Sequence, residues 1–217
     1  PTLNEEFRGL LSILQTTSPA MPFAAVERTL REAFGERADA LISRLQRQPV
    51  AIASIGQVHR ATLPDGTDVA MKVLHPGIGD AIRSDFRAAR AGAVFARVFA
   101  PGAGSSVTEF IDEARSAMLD ECDYVLEAKR QETFRSLFSG DPIIAIPATV
   151  ADWCAPTVLT TEWMPGLSLD DFLAGSPAQS ARDEVGVALF RLYVGTLYRH
   201  GLFHADPHPG NYAFARD

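Results

Sequence analysis

The sequence predicts an α+β fold, and three observations carry that reading. The first 48 residues keep a helical period, the stretch after Val50 changes to a strand period, and helical spacing returns toward the end. With 217 residues and 47% hydrophobic content the chain can bury a real core, as one domain or two closely packed lobes. A formal charge of −7 offers no basic stripe for a phosphodiester backbone and argues against a nucleic-acid partner. Cys122 and Cys154 lack C-x-x-C spacing, which argues against a disulfide framework or structural zinc and fits a reducing compartment.

Taken in order, "FAAVERTLREAFG" places Phe23, Val26, Leu30 and Phe34 at helical spacing, and Gly35 ends that helix. A short helix, Ala38 to Gln46, follows. From Val50, "SIGQVHRATL", "PDG" and "DVAMKVL" read as a hairpin turning at Asp65-Gly66. Asp80 can cap an Ala-rich helix, Ala81 to Ala100, that "PGAGSS" terminates. Ser106 and Glu109 form a capping box for a long helix reaching about Phe138. "DPIIAIPATVAD" and "TVLTTEWM" read as two further strands, "PGLSLDDFL" turns into helix, and Ala181 to His200 is the last helix.

The most apolar stretch, Val185 to Phe203, is interrupted by Arg191 and Arg199, so it reads as a buried helix and not a membrane span. The start at Pro1 and the stop at "YAFARD" read as a piece of a longer protein, expected to be cytoplasmic and membrane-associated only through segments outside this chain.

The stretch that carries chemistry is "HADPHPGN", His204 to Asn211. Its D-x-x-x-x-N spacing, with His two residues earlier, is that of a phosphoryl-transfer loop: one carboxylate for the attacking hydroxyl and one neutral oxygen for a magnesium ion. Pro207 and Pro209 stiffen it. Asp206 is then the base and Asn211 a metal ligand. Two other readings stay open on the loop alone: a plain Pro/Gly loop, or a zinc site built on H-x-D-x-H.

A phosphotransferase of this kind needs a lysine on a strand, and "VAMK" supplies Lys72. Alternation puts Val69, Met71 and Val73 on one face and Ala70, Lys72 and Leu74 on the other. An edge-strand lysine is the ordinary alternative. Usage favours function: of 20 basic residues only Lys72 and Lys129 are lysines, so a compact ammonium has been kept where this chain otherwise uses arginine. Upstream, the small residues Ala51, Ala53, Ser54 and Gly56 of "AIASIGQVH" would let backbone N–H groups approach phosphates. In the acidic "DEARSAMLDECDYVLEAKRQ", Asp123 and Glu127 share a helical face whereas Glu121 and Asp123 diverge, so either Glu121 points elsewhere or the helix is distorted there. Glu127 is the expected partner of Lys72.

With these pieces in order the chain resembles the UbiB family of AarF-domain-containing atypical kinases. "AIASIGQVH", "VAMKVLHPGI", "ECDYVLEA", "LTTEWMPG" and "HADPHPGN" carry the resemblance. It implies a protein-kinase-like two-lobed fold: a helical extension over residues 1–48, an antiparallel N-lobe with inserted helices over 49–163, and the start of a helical C-lobe over 164–217. It implies binding of ADP or ATP with Mg²⁺ and phosphotransfer or hydrolysis. A small or lipid-linked acceptor and isoprenoid-quinone metabolism follow, with a membrane surface or a lipid-biosynthetic complex as partner.

By position, Lys72 is the nucleotide lysine, Glu127 its partner, Asp206 the catalytic aspartate, and Asn211, Glu121 and Asp123 the metal-site residues. The loop residues Ala51, Ala53, Ser54, Gly56 and Gln57 would hold phosphates, and Glu162 to Met164 would meet adenine. No lysine precedes Lys72, so the family's K-x-G-Q element has no counterpart in "EEFRGLLSIL", and the D-F-G aspartate would fall roughly 10 to 20 residues after Asn211. Two alternatives accompany this reading: a nucleotide-sensing pseudokinase scaffold, and an aminoglycoside-phosphotransferase-like kinase, against which the alanine-rich loop and "ECDYVLEA" argue.

Overall fold

The computed structural model describes residues 20–99 and 105–215. They form two compact units, one of the residues up to Thr133 with Ala148–Glu162, the other of Phe134–Pro147 and the residues from Trp163 on. No helix among the described residues is long and apolar enough to cross a membrane.

The first unit is built on a four-stranded antiparallel sheet in the order β1 (Ala51–Ile52), β2 (Gly56–Thr62), β3 (Asp68–Leu74), β4 (Val158–Glu162). The β2–β3 hairpin turns where its sequence asks it to, with Gly66 at φ 94° and Asp65 Oδ1 accepting the Thr67 N–H at 2.9 Å. Val69, Met71 and Val73 are fully buried on one face of β3. Against that face packs α1 (Phe23–Phe34), through Val26 and Leu30, together with α2 (Ala38–Ile42), through Leu41. Full burial of side chains of this size is worth roughly 1.5–3 kcal/mol each, so this layer anchors the unit. Gly35 ends α1 at φ 59°, and α2 stops at Ile42, short of Gln46, because Leu45 pairs with Ala61 at the edge of β2. Residues 1–19 of the expected helical extension lie outside the described residues.

Between β3 and β4 three helices intervene: α3 (Ile78–Phe99), α4 (Ser105–Glu121) and α5 (Tyr124–Leu137). The helix expected from Ala81 starts at Ile78, so Asp80 lies inside its first turn, where a carboxylate suits the helix dipole and pairs with Arg83 at 3.0 Å. Of the expected terminator "PGAGSS", residues 101–104 lie outside the described residues, while Ser105 already opens α4, so Ser106 falls inside its first turn and not at the expected cap position. The long helix expected to run to Phe138 is interrupted. Asp123 turns its carboxylate onto the N–H groups of Val125 (3.0 Å) and Leu126 (3.2 Å), capping a new helix at Tyr124.

"DPIIAIPATVAD" is not a strand. Pro142 and Pro147 remove ladder donors, and what remains is one bridge, Thr149 to Thr161, flanked by the Val150 N–H to Thr160 carbonyl bond at 2.9 Å.

In the second unit Ser168 Oγ accepts the Asp171 N–H at 3.1 Å and caps α6 (Leu169–Ala174). The last helical run spans α7 (Gln179–Phe190), a π-turn (Arg191–Gly195) and α8 (Thr196–His200), and Gly201 ends it in the left-handed conformation at φ 66°. Phe214 pairs with Leu167 and stacks on Phe172 at 5.1 Å. Gly166 is needed there, since a Cβ would lie 2.8 Å from that of Ala213.

Candidate active site

In the first unit the site grows from β3. Its neighbours are β2 and β4, so Lys72 sits on an interior strand and not on the edge where a solubilising lysine would be placed. Lys72 leaves the face opposite the core and donates from Nζ to Glu127 Oε1 at 2.8 Å. Its ammonium also lies 4.9 Å from the centroid of the Tyr124 ring, within cation–π range. Both side chains remain partly exposed, Lys72 by 26% and Glu127 by 36%, so the pair can meet a ligand.

Tyr124 escaped the sequence reading, although its spacing of three from Glu127 places both on one face of α5. The tyrosine is fully buried in a small cluster with Ile55, Leu74 and Leu159. Burial, reinforced by the Glu127 carboxylate, raises its hydroxyl well above the ordinary tyrosine range, and that hydroxyl has no hydrogen-bond partner among the described residues.

The expected phosphate loop is the turn between β1 and β2. The Ala53 N–H donates to the Gly56 carbonyl at 2.9 Å, which puts Ser54 and Ile55 at the tip. Ser54 is exposed, and among the described residues no acceptor takes its N–H. At Gly56 a Cβ would come 2.5 Å from the Val73 carbonyl oxygen and 2.8 Å from the Tyr124 hydroxyl, so only glycine lets the loop seat this deeply on β3. Ala51 pairs with Val58 and lends backbone only.

Gln57 departs from expectation. Its side chain is buried toward the core, where Oε1 accepts the Met21 N–H at 2.9 Å and Nε2 lies 2.7 Å from His59 Nε2, while His59 Nδ1 lies 2.7 Å from the Gln46 carbonyl oxygen. The side chain is committed to structure and not to the loop surface. Alternation explains it: Gln57 and His59 share the face of β2 that meets α1, as the Phe23–His59 ring contact at 6.1 Å shows.

Of the acids, Asp123 is the cap of α5, and Glu121 ends α4 with an exposed side chain. The helix is therefore broken between the two acids, at Asp123. Glu162 closes β4, its Oε2 accepting the Ala148 N–H at 3.1 Å, and Met164 is 40% exposed just beyond.

In the second unit the loop at 204–211 folds on itself. Asn211 Nδ2 donates to Asp206 Oδ2 at 2.7 Å, and the His208 N–H donates to Asp206 Oδ1 at 3.2 Å. Desolvation pushes the Asp206 carboxyl upward, but these two bonds together with the neighbouring His208 and His204 outweigh it and hold the group below its ordinary value, so it is a carboxylate at neutral pH. Asn211, with its amide nitrogen on Asp206, presents an Oδ1 that accepts no bond among the described residues. Pro209–Asn211 form a single 3₁₀ turn capped by His208 Nδ1, which accepts the Gly210 N–H at 3.1 Å.

His204 is held by edge-on contacts with Phe134 (5.8 Å) and Tyr193 (5.5 Å), and its buried Nδ1 has no hydrogen-bond partner among the described residues. The zinc alternative finds no support, since no group of three or more His, Cys, Asp or Glu among the described residues is arranged to hold a metal ion. Tyr193 donates to the Asp206 carbonyl oxygen at 3.3 Å, and burial followed by the Asp206 charge raises its own pKa, keeping it a donor.

Comparison with known proteins shows which family the chain belongs to. Residues 13–217 match the ABC1 atypical kinase-like domain. The chain is 36% identical over 218 residues to the chloroplastic protein ACTIVITY OF BC1 COMPLEX KINASE 1 of Arabidopsis thaliana, covering 96% of this chain and 31% of that protein. It is 32% identical over 216 residues to a probable protein kinase UbiB of Pseudomonas aeruginosa, covering 96% of this chain and 39% of that one. Among solved structures, the Rv3197–erythromycin complex from Mycobacterium tuberculosis superposes with a TM-score of 0.76 at 32% identity, covering 97% of this chain and 53% of the other. The chain therefore spans about a third of these curated relatives and about half of that solved chain.

Proposed function

Because the chain belongs to the ABC1 atypical kinase-like family, which includes the UbiB proteins, we propose that it binds ADP or ATP with Mg²⁺ and transfers or hydrolyses the terminal phosphate of ATP. The acceptor is of the small or lipid-linked class, in support of isoprenoid-quinone metabolism at a membrane surface or within a lipid-biosynthetic complex. The observation that carries the reading is the Lys72–Glu127 pair on an interior strand beside a glycine-dependent turn.

The residues present suit a magnesium nucleotide. Lys72 offers a point charge to phosphate oxygens, the N–H of the exposed Ser54 meets no acceptor among the described residues, and Asn211 Oδ1 is a hard neutral oxygen of the kind Mg²⁺ takes alongside phosphates and water, which leaves Asp206 to act as the base. When bound, Mg²⁺ neutralises charge that builds on the phosphate oxygens.

Glu127 fixes where the Lys72 ammonium stands, and Asn211 and the His208 N–H hold Asp206 ionised and oriented. Asp206 then accepts the proton of the attacking hydroxyl as its oxygen bonds to the terminal phosphorus. The bond from that phosphorus to the bridging oxygen breaks, ADP leaves with the electron pair, and Asp206 returns its proton to solvent.

Calorimetric titration with MgADP and MgATP tests binding. Lys72→Ala should weaken it at least about tenfold. Asp206→Asn should abolish turnover while leaving nucleotide affinity within about twofold. Equal affinity of the lysine variant, or full turnover by the aspartate variant, would sink the corresponding half of the reading.

A further inference from the structure

We infer that Tyr193, set in place by the π-turn, is the positioning residue that fixes the main chain at Asp206. The inference takes its chemical meaning from the phosphotransfer reading, while its structural content stands on the second unit alone.

The helical run from Gln179 to His200 widens at one place only among the described residues. There the Thr196 N–H reaches the Arg191 carbonyl, five residues back. In a plain α-helix it would bond the Leu192 carbonyl. The carbonyl freed in this way is taken instead by the hydroxyl of Thr196 itself, at 2.5 Å, with the Tyr193 carbonyl 3.3 Å away. Thr196 is only 2% exposed, so water cannot do that work, and the sequence supplies a dedicated side chain to make the wide turn tolerable. A π-turn that is internally provided for in this way is a built feature, and such turns concentrate at functional sites.

The widened turn sends its side chains in two directions. Arg191 pairs with Asp141, whose Oδ1 also accepts the N–H groups of Ile143 and Ile144, both at 3.0 Å. Tyr193 goes to the loop. Its hydroxyl donates to the Asp206 carbonyl, its ring lies edge-on to His204 at 87°, and it meets Tyr212 at 6.4 Å and 77°. A single side chain thus touches the loop before, at and after Asp206. The other bond to the Asp206 carbonyl, from Asn211 Nδ2 at 3.4 Å, comes from within the loop and cannot register it against the rest of the unit. With Nδ1 of His204 unpartnered, ring contacts with Tyr193 and Phe134 locate that imidazole as well.

Three variants of the full chain test this: Tyr193→Phe keeps the ring and loses the donor, Tyr193→Leu loses both, and deletion of Val194 removes one residue from the wide turn. Amide hydrogen exchange at Gly210, Asn211 and Tyr212, whose N–H groups bond within the loop, reports loop order without any turnover. Tyr193→Leu and the deletion should speed exchange at these three amides at least about tenfold while Arg182 to Ala188 in α7 stay as they are. Turnover should fall on the order of tenfold for Tyr193→Leu and about threefold for Tyr193→Phe, with MgADP affinity unchanged within about twofold.

Wild-type exchange at 210–212 in Tyr193→Leu overturns the proposal. So does uniform acceleration across the unit, which would make Tyr193 a packing residue only. A wild-type chain without turnover would count against the phosphotransfer reading, and the exchange data would still decide the role of Tyr193.

Discussion

Lys72 and Glu127, 55 positions apart in sequence, meet at 2.8 Å because β3 and α5 deliver them to the same side of the sheet. The Tyr124 ring, one helical turn before Glu127, supports the same ammonium. Replacing Glu127 by Gln keeps the shape and removes the charge. MgADP affinity should fall about three- to tenfold, while the melting temperature moves by less than about 2 °C because the pair is partly exposed. Unchanged affinity in calorimetric titration would mean that the carboxylate does not orient Lys72.

Gly56→Ala should destabilise the first unit by about 1–3 kcal/mol, since the new methyl meets the backbone oxygen of Val73 at 2.5 Å and the Tyr124 hydroxyl at 2.8 Å. Tyr124→Phe alone should be neutral or slightly stabilising, because it removes a buried hydroxyl with no partner. In the double variant the cost of the alanine should shrink, as one of its two clashes is gone. Urea unfolding of the four proteins measures the coupling, and strict additivity would contradict the packing described.

His59 links stability to pH. Desolvation lowers its pKa from 6.5, only partly offset by its bond to the Gln46 carbonyl, so the folded protein holds it neutral. The unfolded chain binds the proton more readily between the lowered value and 6.5, hence this contribution is full above about 6.5 and is lost as pH falls below it. The slope is at most about 1.36 kcal/mol per pH unit. Urea unfolding at pH 7.5, 6.5 and 5.5 should show this decline in the wild type and a flatter one in His59→Asn. Parallel pH profiles would assign the decline elsewhere.

Asn211→Ala removes both the donor that holds Asp206 and the free amide oxygen. The Mg²⁺ concentration for half-maximal turnover should rise on the order of tenfold, with nucleotide affinity in the absence of Mg²⁺ unchanged. A steady-state titration with MgCl₂ measures the first and calorimetric titration with ADP in EDTA the second, and an unaltered Mg²⁺ requirement removes Asn211 from the metal site.

Much of this arrangement was legible in the chain because it rests on local rules. Strand alternation put Lys72 opposite Val69, Met71 and Val73, and the Asp65-Gly66 pair located the hairpin. What escaped was decided by competition. Asp123 satisfies helical spacing with Glu127 equally well as a surface residue and as a cap, and backbone N–H groups needing an acceptor chose the cap. "DPIIAIPATVAD" has strand composition, but its prolines leave only the segment around Thr149 able to pair. The π-turn has no periodic signature, since one extra residue in a single turn is invisible where the run from Val185 to Phe203 carries only the charges of Arg191 and Arg199 to mark its faces. Tyr193 lies within the stretch that read only as a buried helix.

The short pairings at the margins of the sheet guard against self-association. An open β-edge presents a row of unpaired amides on which another chain can grow. Here the outer side of β2 is met by the two-residue β1 and by Leu45 with its neighbours, and the outer side of β4 by Ala148–Val150. Each cover is too short and too interrupted to serve as a template in its own right. The lysine strand therefore lies two layers of pairing away from any edge on one side and is shielded by β4 and its cover on the other, so partial loosening of a margin exposes a stub and not the strand that carries the site.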